Sequence, residues 1–159
     1  MTAAPSELER AIAQATRQYF RLVLVVGAGQ SGKTIAMVSA ANNLGCQLIN
    51  VNLELSKKML ELARSQRAKQ AEKLMREVIS SVPGEVVFLD NLGILFDPNL
   101  ELEPLRLLQL SSRNRTVIAS WNGKFDAGTL TYAEPGHPEF AQFSQIEAIT
   151  ITVGSIANS

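Results

Sequence analysis

Eight consecutive residues, Gly27-Ala28-Gly29-Gln30-Ser31-Gly32-Lys33-Thr34, are the part of this chain most suited to chemistry. They fit the spacing G-x-x-x-x-G-K-[ST], in which glycines let successive backbone N–H groups curl around nucleotide phosphates. The ammonium of Lys33 would reach the terminal phosphates, and the hydroxyl of Thr34 would be a ligand for Mg²⁺. A helix starting near Lys33 would add the positive end of its dipole. The flanking residues agree with this placement. Leu22–Val26 is an unbroken apolar run, as a strand buried on both faces requires. Ile35–Ala41 reads as a helix stopped by Gly45. The loop between them is expected to bind ATP with Mg²⁺.

A second carboxylate site is needed to hold the metal. Four apolar residues, Val86-Val87-Phe88-Leu89, end at Asp90, which resembles the Walker B arrangement. The other reading of Asp90 is a cap after a core strand. Hydrolysis also needs a group that orients water. The position after Asp90 holds Asn91, an amide and therefore a poor general base. Glu54 is a substitute, placed where the RecA-like ATPases carry their glutamate, or else simply a charge suited to the first turn of a helix. Ser120 or Asn122 would be the polar sensor after the fourth strand, while Asn122-Gly123 also reads as a turn. Arg113 and Arg115 are expected either to reach a neighbouring subunit's nucleotide or to act as cations at a helix C-terminus.

Other nucleotide chemistries fit the residues less completely. Asp90-Asn91-Leu92-Gly93 fits the D-x-x-G of GTPases, and Gly123-Lys124-Phe125-Asp126 approaches their guanine reader, with glycine where its asparagine belongs. That leaves base recognition incomplete. A small-molecule kinase would need an arginine-bearing lid, and no clear one is present.

The elements that would position these groups follow from periodicity. Residues 6–19 read as an amphipathic helix with Ser6 as N-cap and Leu8, Ile12, Ala15 and Tyr19 on one face. Strands are expected at 22–26, 47–53, 86–90, 116–120 and 146–153. A long helical stretch runs from Ser56 to about Ser81, with a break marked by its polar middle at 64–70. Residues 91–103 read as a loop, about 104–112 as a short helix, and 122–144 as a long irregular functional loop. Five strands alternating with helices predict a three-layer α/β domain, a P-loop NTPase with a mainly parallel sheet of the additional-strand or RecA-like type. One domain spanning 1–159 is expected, with its nucleotide core at 22–153. The chain stops soon after the last strand, so the expectation is a domain without the helical lid of AAA+ proteins, completed by another subunit or partner.

Bulk properties set bounds. Of 159 residues, 46% are hydrophobic and 19% charged, the balance of a globular domain. Fifteen cations match fifteen carboxylates, so no overall field draws in nucleic acid or membrane. One cysteine excludes an internal disulfide framework. The opening residues lack a signal-peptide pattern and no apolar run reaches membrane-spanning length, so a cytoplasmic protein is expected. Charge is nonetheless uneven. Residues 57–76 hold Lys57, Lys58, Arg64, Arg67, Lys69, Lys73 and Arg76 against Glu61 and Glu72. This is either a solvated helix face or a surface for a partner or for DNA phosphates.

The P-loop together with Leu53-Glu54-Leu55-Ser56, Phe88-Leu89-Asp90-Asn91 and the stretch Leu130–Glu139 resembles the small P-loop proteins of type 3 bacteriophage-exclusion (BREX) systems, the BrxF family. The resemblance covers nearly the whole chain, and the 130–139 stretch is its more specific part. It implies a bacterial antiviral setting beside a DNA methyltransferase, a large ATPase, a helicase and a phosphatase-like protein. It also implies nucleotide-binding roles for Gly32, Lys33, Thr34 and Asp90. The expectation is therefore an ATP-binding protein with weak Mg²⁺-dependent hydrolysis, acting in an assembly of its own copies or of other defence proteins. The alternatives are a GTPase-like switch and a nucleotide-dependent adaptor with negligible hydrolysis.

Overall fold

A computed structural model describes residues 7–28 and 32–153. The order of elements is α1 (Glu7–Ala15), β1 (Leu22–Gly27), α2 (Lys33–Leu44), β2 (Leu48–Asn50), α3 (Val51–Met59), α4 (Arg64–Ser80), β3 (Val86–Asp90), α5 (Pro104–Ser111), β4 (Thr116–Asp126), β5 (Thr129–Tyr132), β6 (Ala141–Ser144) and β7 (Ile149–Thr152). Two short 3₁₀ turns, Gly93–Phe96 and Pro98–Leu100, lie between β3 and α5.

Five strands run parallel in the order β2-β3-β4-β1-β7. Thus β4 lies between the strand that enters the glycine-rich loop and the strand that ends at Asp90. Both faces of this sheet are covered, which is why Leu22–Val26 of β1 and Val86–Leu89 of β3 are apolar at every position rather than at alternate ones. Val23, Val25, Phe88 and Ile118 pack under α1 and α2. Leu22, Leu24, Val87, Leu89 and Val117 pack under α3, α4 and α5. Leu22 through Val26 are wholly buried, and each such side chain contributes about 1.5–3 kcal/mol of transfer free energy.

Several predicted boundaries move. The first helix ends at Ala15 instead of 19, and Tyr19 is exposed, edge-on to Phe20. Its predicted N-cap, Ser6, lies outside the described residues. The second strand is only three residues long. Asn50 stops it, because its side-chain oxygen accepts the N–H of Leu53 and starts α3. Val51 to Leu53, read from β-propensity as strand, are therefore helical. The helical break falls at 60–63, before the polar run, where Met59 and Leu62 are bridged by a tight turn. The last strand starts at Ile149 instead of Ile146.

The largest correction concerns residues 122–144, expected as one irregular loop: strands take up all of it except the turn at 127–128 and the connection 133–140. β4 runs on past the parallel sheet to Asp126, turns at Ala127-Gly128 and pairs antiparallel with β5, which pairs with β6. Both turn residues have positive φ, 51° and 83°, the geometry of a two-residue hairpin matched to strand twist. Gly123 has no freedom to be anything else. A Cβ there would lie 1.8 Å from the carbonyl oxygen of Thr131. Trp121 pins this extension to the main core. It is buried, its indole N–H donates to Thr131 O at 2.9 Å, and Phe96, Tyr132 and Phe143 meet its ring edge-on.

Candidate nucleotide site

Strand register brings the candidate groups to one edge of the sheet. Gly27 pairs with Asn122, Val25 with Ser120 and Asn50 with Asp90. Side chains alternate along a strand, so Asp90 shares the α2 face with Phe88, and Ser120 shares it with Ile118. That face is the one on which the helix carrying Thr34 lies.

Asp90 is the centre of the arrangement. It is 6% exposed, yet both of its oxygens are satisfied. Thr34 Oγ1 donates to Oδ2 at 2.8 Å, and Ser120 Oγ donates to Oδ1 at 2.6 Å. A buried carboxylate costs several kcal/mol unless it receives such donors. Here two hydroxyls from two other elements supply them.

Lys33 is 4% exposed. Its Nζ donates to the carbonyls of Gly27 at 3.0 Å and Ala28 at 2.5 Å, so the amine is held against the end of β1. Burial pushes its pKa below the ordinary lysine value, and the charge of Asp90 draws it partly back up. Gly32 has φ 91°, a conformation open to glycine and costly for other residues. It begins α2 without a side-chain cap, and no acidic residue sits in the first turn of that helix. The N–H groups and dipole of α2 are thus left for an external anion. Gly29, Gln30 and Ser31 lie outside the described residues.

The donor set suits Mg²⁺. That ion keeps several waters and takes one or two protein oxygens beside substrate phosphates, rather than a cage of protein ligands. Thr34 and Asp90 offer a hydroxyl and a carboxylate already in contact. Among the described residues there is no cluster of three His, Cys, Asp or Glu that would form a protein-only metal site.

The remaining sequence candidates fare differently. Glu54 is in the first turn of α3, not at a strand end. Its side chain is 43% exposed and pairs with Lys57 at 3.7 Å. Asn91 is exposed, with φ 56°, and its carbonyl accepts the N–H of Asn52. An asparagine tolerates this left-handed turn better than a glutamate would. Asn122 is exposed beside Gly27, inside β4 and not in a turn, and its carbonyl accepts the N–H of Ala133. Of the two sensor candidates, Ser120 is the one that touches Asp90.

Both arginines make contacts within the chain. Arg115 donates to the carbonyls of Ile79, Val82 and Gly84, closing the C-terminal end of α4, not that of α5. The guanidinium of Arg113 lies 4.2 Å over the ring of Tyr19. Both precede β4, at the end of the sheet opposite the loop. The basic run is partly neutralised, through Lys57–Glu54, Lys58–Glu77 and Arg76–Glu72. The segment Gly123–Asp126, compared above with a guanine reader, is hairpin strand in register with Thr129–Tyr132.

Asn52, which the sequence places among the strand-end candidates with Glu54, has a role the sequence does not assign. Its side-chain oxygen accepts the N–H of Ile94 at 2.8 Å, tying α3 to the turn that follows Asp90. No local pattern marks such a long-range bond. Comparison with family models, with curated proteins and with solved structures finds no match to this chain. No helix of the described residues is long and apolar enough to cross a membrane.

Proposed function

We propose that this chain binds ATP with Mg²⁺ as a P-loop domain of the additional-strand class and hydrolyses it slowly. The observation that carries the reading is the 2.8 Å bond between Thr34 and Asp90. It joins the hydroxyl of the glycine-rich loop to the carboxylate ending another strand, with β4 between them. A generic glycine turn beside a capped strand has no need of that pairing.

In this reading the backbone of 27–32 and the N-terminus of α2 cradle the phosphates. Lys33 exchanges its bonds to Gly27 and Ala28 for phosphate oxygens. Thr34 and Asp90 hold the metal, while Ser120 keeps Asp90 oriented through Oδ1. Mg²⁺ would supply charge neutralisation on the transferring phosphoryl group. Among the described residues no carboxylate besides Asp90 is bonded into this constellation, and the half-buried Glu54 pairs with Lys57. That favours slow turnover, and an adaptor with negligible hydrolysis is its limiting case. The GTPase alternative loses support, because its base-reading segment is strand.

The resemblance of Leu53–Ser56, Phe88–Asn91 and Leu130–Glu139 to the BrxF family extends the proposal to a role in a bacterial anti-phage assembly. The test is titration with a fluorescent ATP analogue, with and without Mg²⁺ and against GTP. It is paired with hydrolysis per subunit over a wide protein concentration range, with mass recorded in parallel. Mg²⁺-dependent ATP binding with slow turnover is the expected result. Failure to bind ATP, or a tenfold preference for GTP, would overturn the reading.

A further inference from the structure

The antiparallel extension ends in an open edge. β6 pairs with β5 on one side, and among the described residues no strand pairs with its other side. Alternate N–H and C=O groups of Ala141–Ser144 therefore point outward, a template for another strand. β6 is only four residues long, which limits adventitious pairing. Its sequence Ala-Gln-Phe-Ser carries no charge and no proline, however, so its side chains do not defend the edge.

A groove of about 560 Å³ runs along this edge, between β6 and the segment that leads into α5. Its apolar floor includes Phe96, Leu105 and Phe143. Its rim carries Asp97, Glu101, Glu103, Glu139 and Glu147, against the single cation Arg106. None of these five carboxylates forms an ion pair among the described residues. In a chain of zero net charge this is a strong local excess of negative charge.

We propose that the β6 edge and this groove are the docking site for an extended, lysine- or arginine-bearing segment of a partner protein, which adds as a strand. The open edge would supply main-chain hydrogen bonds, and the alternation of a strand would send every second side chain into the groove. Apolar residues would rest on Phe96 and Phe143, and cations would reach the carboxylate rim. The site shares no residue with the nucleotide site, and the inference does not rest on the ATP-binding reading.

The probe is a fluorescein-labelled heptapeptide alternating lysine and valine, with a glutamate–valine heptapeptide as control. Anisotropy titration of the full chain should show the lysine peptide binding at least tenfold more tightly, with the difference shrinking at high salt. Hydrogen exchange on the unmodified chain should slow at 141–144 when that peptide is bound. The double variant Glu103→Lys, Glu139→Lys should weaken binding at least fivefold. Equal binding of both peptides would overturn the proposal, as would lysine-peptide binding that leaves exchange at 141–144 unchanged. A concentration-dependent dimer that itself protects 141–144 and excludes the peptide would also overturn it, because the occupant would then be a second copy of this chain.

Discussion

Replacing Lys33 with methionine separates binding from folding, and the structure gives both signs. The ammonium donates to Gly27 O and Ala28 O. On nucleotide binding these donors would pass to phosphate oxygens. A hydrogen bond to a charged group contributes about 1.5–3 kcal/mol, so Lys33→Met should weaken ATP binding by about 10- to 150-fold. Stability should move the other way or not at all. Burial lowers the folded pKa of Lys33 below the ordinary 10.5. Below the folded pKa the amine is charged in both states, and its desolvation cost is fully present. Between the folded pKa and 10.5 the unfolded chain binds more protons, so wild-type stability rises with pH across that window. The methionine variant should therefore be at least as stable as wild type at pH 7, with the gap closing as pH approaches 10.5. The two carbonyls it abandons lie on a half-buried and an exposed residue, and water can satisfy them. Fluorescent ATP titration and urea unfolding at several pH values read the two effects. Unchanged ATP affinity in a folded variant would refute the phosphate role of Lys33. A stability deficit at pH 7 that grows toward alkaline pH would refute the desolvation argument.

Four further outcomes follow from the geometry. Asp90→Asn keeps the shape but removes the charge that Thr34 and Ser120 contact, and titration of ATP binding with Mg²⁺ should show the metal's enhancement falling about tenfold or more, roughly 1.4 kcal/mol. Glu54→Gln should leave steady-state hydrolysis within about twofold of wild type, since its ion pair among the described residues is with Lys57 on the surface; a large loss would restore Glu54 as the group that orients water. Gly123→Ala places a Cβ against Thr131 O and should cost about 3 kcal/mol, a drop of roughly 6–12 °C in Tm by calorimetry. Arg115→Ala removes three bonds to the end of α4 and should destabilise by about 1.5–3 kcal/mol in urea unfolding, without changing turnover per folded molecule.

What was legible in the sequence is what local chemistry decides. The strand before the glycine-rich loop and the helix that Gly45 stops are each set by a few neighbouring residues, and they stand as expected. Gly45 adopts φ 69° and its N–H closes on Asn42 O and Ala41 O, as a glycine stop should. Asn50 was equally local but was misread. Val51 and Leu53 favour strand, yet the asparagine cap won because α3 buries Val51, Leu55 and Met59 against α4. The hairpin after Trp121 was harder to see. Phe125, Leu130, Tyr132 and Phe143 show the alternation of half-buried strands, but the turn between β4 and β5 is Ala-Gly rather than the more telling Asn-Gly, and Asn122-Gly123 offered a false turn. Gly123 is there for close approach of Thr131, a reason that appears only when both strands are in place.

The same distinction explains the candidate site. Ser120 and Asn122 lie two residues apart on one strand and have the same polarity, so sequence alone has no means to choose between them. Pairing chooses. β4 sits beside β3 with Ala119 opposite Leu89, which carries the next residue, Ser120, alongside Asp90, while Asn122 is carried one step further, out beside Gly27. Burial then gives the difference its force. At 5% exposure the Ser120 hydroxyl needs a partner, and the Asp90 carboxylate, also withdrawn from water, needs a donor. Each meets the other's requirement at 2.6 Å. Asn122, in solvent, has no such requirement, and its backbone carbonyl accepts the N–H of Ala133. A polar residue is drawn into this site by where the sheet buries it, and strand order, which is a property of the whole fold, decides which one that is.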